Sequence, residues 1–373
     1  MNRFLIIFLF ITNMMILAGC TEHKILERTS LTTLLGYDLA EDDQLKVTAA
    51  IRQINPDLES NVEIQSATDK TSRGARTKVD LKTSKKIGSG QLRVLLFGES
   101  LAKAGLEDSI HAVKMNPEVS NAIYLAVVEG ESNSLIENNY QNITDIGQHI
   151  FQLMEHNIEQ QNVLSSTLHE VNRDYLSGVV DISIPMLKKV GEYIEISGIA
   201  LFKEGTMVGS LPIKDAIYIK LIRDDLKKGT LELALPASTI ESATSNSSEE
   251  VEIAIDSIKS KRKNKLVDPT VPEFDLIINL ETRLISSPSN LHVTDSKSED
   301  KLEKEINKKI ETEVNRVIQY SQKVNSDIFG FGKSYKAQVR NTEVDEETWH
   351  EMYPHMKVNV KVSTQIVRDG VFQ

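Results

Sequence analysis

The strongest periodic signal in this chain lies in its last third. Between Ser298 and Asn325, apolar residues recur at Leu302, Ile306, Ile310, Val314, Val317 and Val324, with Glu and Lys filling much of the rest. One apolar stripe every three to four residues predicts a long amphipathic helix. The period then changes to two. Val358, Val360, Val362, Thr364 and Ile366 alternate with Asn, Lys, Ser and Gln, the pattern of a half-buried strand, expected here to be antiparallel. Phe274, Leu276, Ile278 and Leu280 alternate in the same way, and Val251–Ile258 reads as a further strand with Lys259–Lys265 as its polar exit. Strand, strand, long helix, strand is an α+β order.

The first half alternates less regularly. Leu31–Asp38 and Leu45–Ile54 read as strands separated by the acidic turn Glu41-Asp42-Asp43. Residues 55–91 are polar, with a helix start expected near Ser72–Arg76. Arg93–Phe97 is a short apolar run ending at Gly98 and predicts a buried strand. Ser100–Val113 has helical spacing and Ala122–Val128 reads as a strand. Residues 134–177 are mostly helical in pattern. Tyr193–Phe202 and Met207–Leu211 form an expected hairpin about Lys203-Glu204-Gly205-Thr206, followed by helical spacing over Ile213–Leu226. Residues 237–250, rich in Ser, Thr and Glu, read as a loop or linker. The expected organisation is a leader over 1–19, a tether over 20–30, an N-terminal α+β domain over 31–190, a small middle domain over 191–240 and a C-terminal α+β domain over 250–373. The fold class is α+β, its C-terminal part an antiparallel sheet packed with a long helix.

The N-terminus has its own pattern. Arg3 precedes the almost wholly apolar stretch Phe4–Leu17, and Ala18-Gly19 leads to Cys20, the only cysteine among 373 residues. A positive start, an apolar core and small residues before the cleavage point describe a secretory signal. Cysteine directly after them matches the bacterial lipobox, so Cys20 is expected to carry N-palmitoyl and S-diacylglycerol groups. Two acyl chains suffice for stable membrane anchoring. Loss of 1–19 removes one arginine and no acid, moving the formal charge from −11 to −12. Such a charge argues against nucleic acid and against spreading on an anionic membrane. After Leu17 no apolar run approaches the length of a bilayer span.

Sites for chemistry are few. Gly98-Glu99-Ser100-Leu101-Ala102 between strand and helix resembles a nucleophile elbow. The plainer reading makes Ser100 a helix cap and Gly98 a tight turn. Gly330-Phe331-Gly332-Lys333-Ser334 ends like a phosphate loop, but Asp327 stands where that motif needs its first glycine, and a tight turn is expected there instead. His149 and His156 are too far apart to chelate as an i, i+4 pair, and His350 and His355 flank a Met-Tyr-Pro turn. Lys261-Arg262-Lys263-Asn264-Lys265 is expected as a solvated basic loop, with contact to an anionic partner or headgroups as the alternative. No catalytic, cofactor or metal residue is assigned.

These blocks, in order, resemble the Ger(x)C family of spore germination lipoproteins, the C subunits of GerA-type nutrient receptors. The resemblance rests on Gly36-Tyr37-Asp38 and the patch Ser72-Arg73-Gly74-Ala75-Arg76. It continues through Leu95–Leu106 with its Gly98-Glu99-Ser100-Leu101-Ala102 centre, then Asn116-Pro117-Glu118, Ile196–Lys203 and Met207-Val208-Gly209. Asp327–Gly332, Trp349 and the alternating final strand complete it. Thr21 and Glu22 stand where the family usually has Trp and Asp, and Asn116 replaces an arginine. The resemblance implies a non-enzymatic protein of a few small α+β domains. It also implies a lipid anchor on the outer face of the spore inner membrane, and two integral-membrane partner subunits of A and B type. From the residues alone, a solute-binding lipoprotein that delivers a small ligand to a membrane partner is the alternative, and a hydrolase centred on Ser100 is the third reading.

Overall fold

A computed structural model describes residues 29–52, 62–83, 86–236, 250–286, 296–340 and 344–367. Cys20, the leader, most of the tether and residues 237–249 lie outside them. The strands are β1 (Thr29–Leu39), β2 (Leu45–Arg52), β3 (Val62–Asp69), β4 (Lys86–Gly88), β5 (Val94–Gly98), β6 (Tyr124–Val128), β7 (Ser183–Val190), β8 (Tyr193–Lys203), β9 (Thr206–Pro212), β10 (Thr230–Pro236), β11 (Glu250–Asp268), β12 (Glu273–Ser286) and β13 (Lys357–Ile366). The helices are α1 (Ser72–Asp80), α2 (Glu99–Ala104), α3 (Glu107–Lys114), α4 (Ser132–Ile136), α5 (Ile146–Glu159), α6 (Leu168–Ser177), α7 (Ala216–Arg223), α8 (Ser296–Lys323), α9 (Phe331–Gln338) and α10 (Glu346–Met352). The class is α+β, as expected.

The first sheet runs in the order β3-β2-β1-β5-β6-β7-β8-β9, with β4 beside β1. Its centre, β1-β5-β6-β7, is parallel, and both flanks are antiparallel. A parallel centre is covered on both faces, which explains why Val94–Phe97 is apolar without alternation. Leu95 and Phe97 pack with α1, α2, α3 and α6 on one side, while Val94 and Leu96 pack with α4 and α5 on the other. The helix expected over Ser100–Val113 is divided. Gly105 adopts φ 127°, and Leu106 turns to donate its N–H to the Gly205 carbonyl, so α2 stops and α3 starts afresh.

The second sheet runs β10-β11-β12-β13. The first two pairings are antiparallel, but β12 and β13 are parallel. This corrects the antiparallel reading of the last strand. Helix α8 is the crossover that returns the chain to the same end of the sheet, and a parallel partner requires such a crossover. Its stripe of Leu302, Ile306, Ile310, Val314 and Val317 packs on Phe274, Leu276, Ile278 and Leu280. The polar shoulder of α8 also holds the sheet. Glu303, Asn307 and Glu311 accept the N–H groups of Ile366, Thr364 and Val362, each at 2.8 Å. Four helical residues rise about 6 Å, close to two strand residues at about 6.6 Å, so helix acceptors and strand donors stay in step.

The basic stretch 261–265 is a second correction. It lies within β11, paired with β12, instead of forming a loop. Lys261, Lys263 and Lys265 face solvent, and Arg262, Asn264 and Leu266 point partly inward. The described residues 191–236, which fall in the expected middle domain 191–240, form no sheet of their own. Strands β8 and β9 finish the first sheet and β10 opens the second. The physical reason is that β8 has no free face over Gly198–Phe202. Ala200 and Phe202 enter the core under the first sheet, while Ile199 and Leu201 enter the core shared with α7 and α8. The β8–β9 hairpin is thus a common wall between the two halves.

Candidate functional site

The blocks singled out in the sequence converge on two buried carboxylates. The first is Asp38, at the end of β1. Its oxygens accept the backbone N–H groups of Ser132 and Asn133 and the Ser132 hydroxyl, at 2.7–2.8 Å, and so cap α4. Burial pushes this carboxyl up, against those hydrogen bonds. Gly98 stands directly against it. A Cβ at Gly98 would lie 2.1 Å from Asp38 Oδ1. The glycine of the elbow-like turn therefore admits a carboxylate from the neighbouring strand, and Ser100 points outward on α2, exposed. The N-cap of α2 is Gly98 and no side chain caps it, so the cap role expected for Ser100 is not found; Ser100 lies in the first turn, facing solvent.

The second carboxylate, Asp327, follows α8. It is fully buried. Oδ1 accepts the N–H groups of Phe329, Gly330 and Phe331 at 2.9–3.2 Å, and Oδ2 accepts Gly332 N–H at 2.8 Å and Trp349 Nε1–H at 3.0 Å. The residue that breaks the phosphate-loop motif thus fills that turn with its own carboxyl group. Gly332 is forced by the same crowding, since a Cβ there would sit 2.4 Å from the Val179 carbonyl and 2.7 Å from Trp349 Nε1.

Asp327 is also the meeting point of the two halves. Its N–H donates to Asp181 Oδ2 at 2.6 Å, and its carbonyl accepts Asp181 N–H at 3.0 Å. His350, on α10, places Nε2 3.0 Å from Asp181 Oδ2 and Nδ1 3.4 Å from Glu204 Oε1. Ser326 donates its hydroxyl to the Phe202 carbonyl at 2.6 Å. Asp181 and Phe202 belong to the first sheet's side, Ser326, Asp327, Trp349 and His350 to the second. This constellation is a clasp.

The clasp is titratable. Burial pushes the Asp327 carboxyl up to about 7, outweighing its five N–H donors, with the Asp181 charge adding to the rise. Burial pulls His350 down, but the hydrogen bond and charge of Asp181 outweigh it and raise the imidazole above its ordinary value. A raised acid and a raised histidine have the same sign in the linkage: the folded state holds their protons more tightly than the unfolded chain. For Asp327 the stabilisation fades as pH rises from the ordinary 3.8 through about 7, and for His350 it fades above 6.5. The thermal midpoint is therefore expected to fall between about pH 6 and about pH 8, and His350→Gln should flatten that slope. A midpoint that stays level or climbs over this range contradicts the assignment.

His149 and His156 both lie on α5 but do not join any such cluster, and among the described residues no group of three His, Cys, Asp or Glu side chains is placed to hold a metal ion. Among the same residues no helix is long and apolar enough to cross a membrane. The sequence marks Asp327 as a motif failure and as the start of a block shared with the family, and His350 only as a turn neighbour; it gives no sign of Asp181. The signal that was available is the dense run of Asp327 to Gly332, with two glycines and three apolar residues following one acid.

Comparison with known proteins decides the family. Residues 22–189 match the model described as spore germination protein N-terminal domain, and residues 197–370 match the one described as spore germination B3/GerAC like, C-terminal. The chain belongs to the Ger(x)C family of spore germination proteins. Spore germination protein GerQC of Bacillus cereus is 29% identical over 97% of this chain and 98% of its own. The crystal structure of the GerBC protein shares the fold of this Ger(x)C protein, with a TM-score of 0.59 at 16% identity, covering 90% of this chain and 97% of that one. The boundary between the two family models, residues 190–196, falls at the tip between β7 and β8, on the wall that both halves share. Ger(x)C proteins are a family of germination receptor subunits and not a known enzyme family.

Proposed function

We propose that this protein is the lipid-anchored, non-catalytic C subunit of a membrane nutrient receptor that triggers spore germination, and that it works by docking integral-membrane partner subunits of A and B type. The observation that carries the reading is the ordered match to both family models over nearly the whole chain. Lipid on Cys20 would place the body on the outer face of the spore inner membrane. Confinement there raises the effective concentration of docking surfaces, so that weak contacts suffice. The body contributes rigidity, because the clasp and the shared β8–β9 wall fix its two halves together. The solute-binding alternative wants a cleft between two similar lobes. Here the halves are unlike, nine strands with a parallel centre against four strands under one long helix.

Affinity capture of the tagged protein from detergent-solubilised spore membranes is expected to bring down two multi-span proteins. Spores lacking the chain are expected to lose the response to one set of nutrients while germinating normally through other receptors. Capture of the protein alone, together with unchanged germination of the deletion spores, would defeat the proposal.

A further inference from the structure

A cleft of about 540 Å³ opens between the halves on the side of α6, α7, β11 and α9. It is lined by five cationic side chains, Arg173, Lys220, Arg223, Arg262 and Lys333, against three carboxylates, an excess of two in a strongly acidic chain. The carboxylates are largely spoken for. Asp174 already holds both Arg173, at 2.7 Å, and Arg223, at 3.0 Å. Glu170 accepts from the Ser165 hydroxyl and from the N–H and hydroxyl of Thr167 in the capping box of α6. Asp224 is exposed.

Among the described residues, Lys220, Arg262 and Lys333 take part in no ion pair. Lys220 is the telling one. It is 9% exposed, its ammonium has only the Val163 carbonyl at 3.5 Å, and burial lowers its pKa. The Asp224 charge favours this ammonium, but Asp224 is exposed, forms no ion pair with it and does not offset the burial, so an anion sharing the cavity lowers a cost that remains. Arg262 is the inward-facing member of the basic run on β11, and Lys333 and Ser334 are the phosphate-loop-like pair on α9. Two stretches that the sequence left unexplained thus line one cleft. Ser334 keeps its hydroxyl proton for a ligand, since its oxygen accepts from Asn264 Nδ2 at 3.2 Å.

We propose that this cleft binds a phosphoryl group, as free phosphate or as a phospholipid headgroup, between Lys220, Arg262, Lys333 and Ser334. The surplus of two positive charges matches a dianion, and a guanidinium fork with ammonium and hydroxyl donors suits tetrahedral oxygens. Residues of both halves line the cleft, so the ligand would sit across their junction. The assignment is independent of the receptor reading above.

The test is calorimetry on the full chain in neutral detergent, titrated with inorganic phosphate and, separately, with short-chain phosphatidic acid. Binding tighter than about 1 mM is expected for at least one of them. Lys220→Met and Arg262→Gln should each weaken it by about tenfold or more, as loss of a charge-assisted hydrogen bond does. Lys220→Met places an apolar chain in a buried site, so the fold is expected to hold, and the thermal midpoint checks this. Lys263→Gln, next on β11 but facing solvent, should leave affinity unchanged. Saturation by phosphate identifies a free anion as the source, and saturation by phosphatidic acid alone identifies a headgroup. No heat with either ligand up to about 10 mM, or equal weakening by Lys263→Gln, overturns the proposal.

Discussion

Asp327→Ala is expected to lower the thermal midpoint of this protein by about 5 °C or more. The substitution removes one acceptor side chain and strands five donors, four backbone N–H groups and the Trp349 indole, inside the protein. Each buried donor left unsatisfied costs about 1–3 kcal/mol, and even with partial relaxation the sum should exceed about 4 kcal/mol. That is a large fraction of the stability of an ordinary domain. Asp327→Asn separates shape from charge. Its amide oxygen can serve three of the donors, but its NH₂ then meets the N–H of Gly332 and Trp349, so a loss nearly as large is expected. Circular dichroism on heating measures both variants. A midpoint within about 2 °C of the parent for Asp327→Ala would remove the clasp from any account of how the halves are held.

The second large effect concerns position 20. Cys20→Ala should release the protein from the membrane fraction or leave it uncleaved on its leader. Germination through its receptor should fall on the order of 100-fold, the scale of effective concentration that a tether provides. Nutrient-triggered loss of optical density by spores reads the response, and immunoblots of membrane and soluble fractions read the placement. Spores that keep the Cys20→Ala protein in the membrane fraction at normal amount and germinate at the normal rate would exclude the lipid from the mechanism. These two substitutions also separate two kinds of failure. Asp327→Ala should damage the body wherever it is located, whereas Cys20→Ala should leave the body folded and misplaced.

The elements that were legible in the sequence are those whose burial repeats. The α8 stripe and the alternation of β12 and β13 each present one apolar face, and the period alone reveals them. The direction of β13 was not legible, because alternation is the same in parallel and antiparallel strands and only the α8 crossover decides it. The basic run on β11 was misread because three of its five residues do face water, and the pattern is carried by Arg262, Asn264 and Leu266 between them. Helix α9 was read as a turn because its start is Gly330-Phe331-Gly332, where the glycines serve the Asp327 contacts and the Val179 approach instead of a loop. The clasp was the least visible feature. A buried Asp or His has no signature that distinguishes it from a surface one until partners 146 and 169 residues away are brought beside it.

The hydrogen bonds from Glu303, Asn307 and Glu311 to alternate residues of β13 have a consequence for life in a crowd. A strand at the margin of a sheet offers its unpaired backbone to any other extended chain, and proteins gathered on a surface collide with their own copies continually. Here the outward N–H groups of Val362, Thr364 and Ile366 are already taken by the protein's own helix. Along Val362–Ile366 another polypeptide cannot zip on as an additional strand, so this stretch of the margin does not lead neighbouring copies to polymerise.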